Sequence, residues 1–141
     1  MTLRLATWNL FHGRESPPRR FRVTEPGEAY GQFLEVLRRI EWDVLLLQEA
    51  PPRWREALVR DLGSEGACVL TSRNSLGWLR GLIADRLPNV IASNEGGSNQ
   101  TLAKPGWEIA ETRVHTLATR PERRQMLWTR VRSPEDQDRC G

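Results

Sequence analysis

Two short apolar runs constrain this chain more than anything else in it. Leu3-Arg-Leu-Ala-Thr-Trp ends on Asn9, and Asp43-Val-Leu-Leu-Leu-Gln ends on Glu49. Each run stops on a side chain whose oxygen can bind a metal. Between them, Glu28 to Ile40 carries Tyr30, Phe33, Leu34, Leu37 and Ile40 at helical spacing. The two runs are therefore expected to be parallel strands joined by a crossover helix. The carboxyl ends of such strands lie at one edge of the sheet, where ligands of open α/β folds collect. An amide oxygen and a carboxylate brought together there suit a hard divalent cation such as Mg²⁺.

Composition narrows the class. At 141 residues the chain has the length of a single domain. No run approaches the roughly eighteen apolar residues of a spanning helix. The amino terminus enters a strand pattern without the charged and apolar regions of a secretory signal. A cytoplasmic protein without a membrane partner is expected. The net charge of +3 invites a nucleic-acid reading, but 18 acidic residues are interspersed among the basic ones. All the basic residues except Lys104 are arginine, a bias that reads first as a solvated surface. Cys68 and Cys140 form neither a metal pattern nor a disulfide framework and are expected to be reduced thiols.

The remaining pattern gives the order of elements. Leu10 to Gly27, rich in Gly, Ser, Pro and Arg, reads as a surface loop. Val44 to Leu47 is continuously apolar, as in a strand covered on both faces. Pro51-Pro52 ends it and opens a helix spaced by Trp54, Leu58 and Leu62 and closed by Gly63. Ala67 to Leu70 is a third strand, Ser75 to Leu87 an amphipathic helix and Val90 to Ala92 a short strand. Asn94 to Ser98 reads as a turn and Gln100 to Ala103 as extended chain. Trp107 to Leu117 and Arg123 to Val131 form an antiparallel hairpin, and Ser133 to Gly141 is a polar loop. The sum is an α/β sheet with a mixed edge. Residues 1–132 make up the domain and 133–141 the tail.

Asn9 and Glu49 each have a plainer reading. An asparagine after a strand is a common turn residue. A glutamate at the end of a covered strand must be paired, and Arg53 is a near candidate. As a pair at the ends of two parallel strands, they point instead to a cation site.

Leu5-Ala-Thr-Trp-Asn-Leu-Phe-His-Gly13 and Asp43-Val-Leu-Leu-Leu-Gln-Glu49 together resemble the opening motifs of the endonuclease/exonuclease/phosphatase (DNase I-like) family. The resemblance implies that Asn9 and Glu49 bind a catalytic Mg²⁺ or Mn²⁺. Gly97-Ser-Asn-Gln-Thr-Leu-Ala103 is similar to the family's Gly-Asn segment near the substrate phosphate, which makes Asn99 a substrate-side residue. Arg120 to Arg130 resembles the strand preceding the family's second catalytic half. His12 stands beside the implied metal edge, within reach of a phosphate, although an exposed loop histidine is the plainer account. His115, in an alternating strand, reads as structural. Trp8, Trp42, Trp107 and Trp128 are read as core aromatics.

The implied fold is part of a four-layer α/β sandwich, mainly its first mixed sheet with its helices. One face of that sheet would then lie uncovered, with apolar surface exposed. The implied function is that of a hydrolase acting on phosphodiesters or phosphomonoesters, nucleic acid among them. The family's Gly-Asp-x-Asn and Ser-Asp-His motifs do not occur in these 141 residues. No catalytic base is therefore identified, and the chain is expected to be a truncated amino-terminal portion with little or no turnover of its own. The alternative from the same sequence is a non-catalytic binding module that self-associates through its open sheet face.

Overall fold

The structure, a computed structural model, describes residues 2–13, 27–71, 97–120 and 123–137. The expected helix at 75–87, the strand at 90–92 and most of the loop at 10–27 lie outside them. Six strands are seen among these residues: β1 (Leu5–Asn9), β2 (Val44–Ala50), β3 (Glu65–Leu70), β4 (Ser98–Ala103), β5 (Glu108–Ala118) and β6 (Arg124–Arg132). The helices are α1 (Glu28–Arg39), α2 (Arg55–Asp61) and the single turn α3 (Pro134–Gln137). No described helix is long and apolar enough to cross a membrane.

Strands β1 to β4 form one mixed sheet in the order β1-β2-β4-β3. β1 and β2 are parallel, from Leu5 opposite Val44 to Asn9 opposite Gln48. β4 runs antiparallel to both β2 and β3. The parallel pair is fixed at its start by a forked ion pair. Arg4 donates from Nε to Asp43 Oδ2 at 3.1 Å and from Nη2 to Oδ1 at 2.9 Å, and its backbone N–H donates to Oδ2 at 2.8 Å. Hydrogen bonding to Arg4 holds the Asp43 carboxyl below the usual carboxylate range.

Alternation along the strands sends Leu45, Leu47 and Leu102 to one face, where they meet Leu34 and Leu37 of α1, Leu58 of α2, Trp42 and Trp54. This is the main core. The buried Trp42 indole donates to the Leu37 carbonyl at 3.0 Å, which satisfies an acceptor that the end of α1 leaves open. α2 is preceded by a 3₁₀ turn at Pro52–Trp54, so the two prolines lead into the helix through that turn.

The hairpin does not extend this sheet at its edge, as the order of elements implied. β5 and β6 pair only with each other and lie against β3 and β4. The reason is the one-sided character of β6, where Gln125, Leu127, Thr129 and Val131 are half-buried and the residues between them exposed. A strand of that kind must lay one row on a partner layer. Asn99 Nδ2 donates to the Gln125 carbonyl at 3.3 Å, and the Thr101 and Thr129 hydroxyls meet at 3.1 Å.

Among the described residues this second layer lies mainly over β3 and β4. On the β1 side Leu3 is 50% and Leu5 59% exposed.

Other expectations change as well. Trp128 is exposed on the outer face of the hairpin, stacked under Arg113 and Arg130, instead of in a core. His115 stands in the exposed stretch of β5, opposite Met126. The tail begins as a helical turn because Pro134 follows Ser133, whose Oγ accepts the Asp136 N–H at 3.2 Å. Ser98 opens β4 and is fully buried, where a turn was expected. Cys68 is a free, half-buried thiol, and burial pushes its pKa up.

Candidate functional site

The carboxyl ends of β1 and β2 and the first residues of β4 meet at one edge of the sheet, and each arrives with a local distortion. After Asn9, Leu10 adds one more bond to the parallel ladder, N–H to the Gln48 carbonyl at 2.9 Å, and buries its side chain completely. The chain then reverses through Phe11, His12 and Gly13, with φ of 47°, 56° and 72°. Asn9 starts this turn, its Oδ1 accepting the Phe11 N–H at 2.8 Å. Its plain turn role is therefore real, and it leaves one lone pair of the amide oxygen for a second partner.

β2 reaches the edge through a bulge. Its register against β4 shifts between Leu47 and Ala50, so Gln48 and Glu49 together oppose Asn99. Glu49 takes φ of 50°. The extra residue returns Ala50 to the core face, where it is fully buried opposite Ser98. Gln48 stays on the β1 side and donates from Nε2 to Thr7 Oγ1 at 3.1 Å. The Glu49 carboxylate is 41% exposed, and Oε2 lies 3.4 Å from His12 Nε2. Glu49 thus faces His12, and Arg53 lies over the Trp54 ring, 5.6 Å from its centroid. The bulge lifts the carboxylate out of the covered sheet and removes the desolvation that seemed to demand an arginine.

Among the described residues, Phe11, His12 and Glu49 are the non-glycine residues with positive φ. Such conformations cost on the order of 1–3 kcal/mol each and gather where function demands an over-determined geometry. All three lie at this edge.

His12 is not an exposed loop residue, since its side chain is only 19% accessible. It is held against Gly97, where an added Cβ would lie 3.0 Å from His12 Cε1, 3.0 Å from Thr71 Oγ1 and 3.4 Å from Glu49 Cα. A side chain there would press on all three neighbours. Thr71 clamps the same point, donating from N–H at 2.9 Å and from Oγ1 at 2.8 Å to the Gly97 carbonyl. Behind it, Gln100 Nε2 donates to Ser98 Oγ at 2.9 Å and Ser98 Oγ donates to the Ala50 carbonyl at 2.8 Å. This buried chain ties β4 to the end of β2.

The fold therefore brings Asn9, His12 and Glu49 to one edge, with Asn9 paired to the residue before Glu49. Asn99 lies directly across from them in register, but its amide is given to the hairpin. No cluster of three or more His, Cys, Asp or Glu side chains able to hold a metal occurs among the described residues. Sequence reasoning did not find Gly97 and Thr71 as supports of His12. The signal available was the Gly96-Gly97 pair, which marks a close approach as well as a turn.

No family model matches the sequence, and no curated protein matches it. A solved structure is similar in fold, a mannosyl-6-phosphatase from Bacteroides thetaiotaomicron with a TM-score of 0.52 and 12% identity. The match covers 95% of this chain and 47% of that one, so the chain spans about half the length of the protein it matches.

Proposed function

We propose that the chain is the amino-terminal portion of a divalent-metal-dependent phosphoesterase of the endonuclease/exonuclease/phosphatase family, with a partial DNase I-like fold. The observation that carries this reading is the convergence of three strained residues, Phe11, His12 and Glu49, on the edge where Asn9 ends β1. Turn formation alone does not require a left-handed glutamate at the end of a parallel strand. The likeness in fold to a phosphatase supports the reading at the level of architecture.

The residues present fit a hard cation that keeps most of its waters. Asn9 offers a free lone pair and Glu49 a half-exposed carboxylate. When bound, Mg²⁺ or Mn²⁺ supplies positive charge to the phosphoryl oxygens of the substrate. Asn9 and Glu49 would hold the ion, and the close approach at Gly97 keeps His12 on the Glu49 carboxylate.

The same geometry limits the chain by itself. Among the described residues this edge includes no Asp–His pair to activate water, and a missing general base costs roughly 10²–10⁴-fold in rate. Purified protein incubated with Mg²⁺ and bis-p-nitrophenyl phosphate is expected to release p-nitrophenol no faster than a buffer control. Robust metal-dependent release would refute this expected inactivity.

A further inference from the structure

The arginines of the second layer divide into two groups. Arg124, Arg130 and Arg132 of β6 belong to the exposed row. Arg123, immediately before the strand, is half-buried and continues the inward row of Gln125, Leu127, Thr129 and Val131. Its Nε–H is buried without a hydrogen-bond partner. A buried guanidinium N–H with no acceptor is unfavourable, so the position calls for an anionic or polar group that the described residues do not provide.

The cross-layer contacts show which way Arg123 lies. Thr129 sits over Thr101 and Gln125 over Asn99, so moving back along β6 leads toward the start of β4. Arg123 is two residues further in that direction. That is the end of the sheet where Gly97 packs against His12 and Glu49. The direction brings the unpartnered Nε–H of Arg123 toward the same edge as Asn9 and Glu49.

We propose that Arg123 binds the phosphoryl group of the substrate at this edge. The inference rests on the phosphoester reading above and adds the residue that takes the anion. Arginine suits the task because its fork matches two phosphoryl oxygens and it stays charged at any working pH. One N–H of the Asn99 amide, expected from the sequence to serve on the substrate side, is given to the Gln125 carbonyl.

The test is a titration of inorganic phosphate into the whole ¹⁵N-arginine-labelled chain, in EDTA and at constant ionic strength, followed by NMR. The Arg123 Nε–Hε resonance, assigned by its loss in Arg123→Lys, is expected to shift and saturate. In Arg123→Gln, followed through the backbone amides of the remaining labelled arginines, which are tracked in the wild type as well, the half-saturating phosphate concentration should rise about tenfold or more, as expected for loss of a charge-assisted pair. Arg123→Lys should fall between the two. A resonance indifferent to phosphate overturns the proposal, as does an unchanged titration in a folded Arg123→Gln. If the glutamine variant fails to fold, the wild-type resonance decides alone. Because EDTA removes the metal, this result stands or falls separately from metal binding at Asn9 and Glu49.

Discussion

Replacing Trp42 with alanine should lower the free energy of unfolding by about 3–5 kcal/mol, the usual cost of truncating a fully buried aromatic. Trp42 is 1% exposed and packs in the main core beneath α1. Its loss removes more than volume. The indole N–H is the partner of the Leu37 carbonyl, and Lys104 Nζ lies 4.6 Å from the ring centroid. A buried carbonyl left without a donor costs about 1–3 kcal/mol by itself. Trp42→Phe should therefore lie between the wild type and the alanine variant, because it keeps an aromatic ring and loses the hydrogen bond. Since small domains are stable by only about 5–15 kcal/mol, Trp42→Ala should unfold at a markedly lower urea concentration than the wild type. A loss below about 1 kcal/mol in a urea melt would mean that this residue does not join α1 to the sheet as described.

Gly13→Ala should cost about 2–5 kcal/mol, combining roughly 1–2 for left-handed backbone with an overpacking term of about 1–3. Gly13 has φ of 72°, and an added Cβ would lie 2.7 Å from Trp54 Cη2 and 3.3 Å from Pro51 Cγ. Trp54 has nowhere to go. Its ring is 5.5 Å from that of Tyr30 and 5.4 Å from that of Phe33, centroid to centroid. Gly63 provides the internal comparison, with φ of 58° and nothing within 4 Å of its added Cβ. Gly63→Ala should lose only the backbone share, about 1–2 kcal/mol. Equal losses at the two sites would contradict the packing of the Phe11–Gly13 turn against Trp54.

The sequence made the scaffold of the site legible because its strongest signals are local. The continuous run Val44 to Leu47 and the periodic Phe33, Leu34 and Leu37 each commit to one element by spacing, and parallel pairing follows from their order. The end of β2 was not legible. A bulge is a one-residue slip in pairing against a strand distant in sequence, and nothing in Gln48-Glu49-Ala50 announces it. That slip decides what Glu49 meets, and it brings the carboxylate to His12. The placement of the hairpin was hidden for a similar reason. Alternation in β6 shows that one row is covered, but an edge position and a second layer share the same alternation. What separates them is Asn99 and Thr101, polar residues on β4 that reach across the layers.

The central claim is that Asn9 and Glu49 act on one ion, and Mn²⁺ binding followed by electron paramagnetic resonance tests it most directly. The wild-type chain should bind Mn²⁺ in competition with Mg²⁺, and Asn9→Ala and Glu49→Gln should each weaken binding by about tenfold or more, as loss of one of two protein oxygens requires. Binding of equal strength in all three chains, or no binding in any, would contradict it.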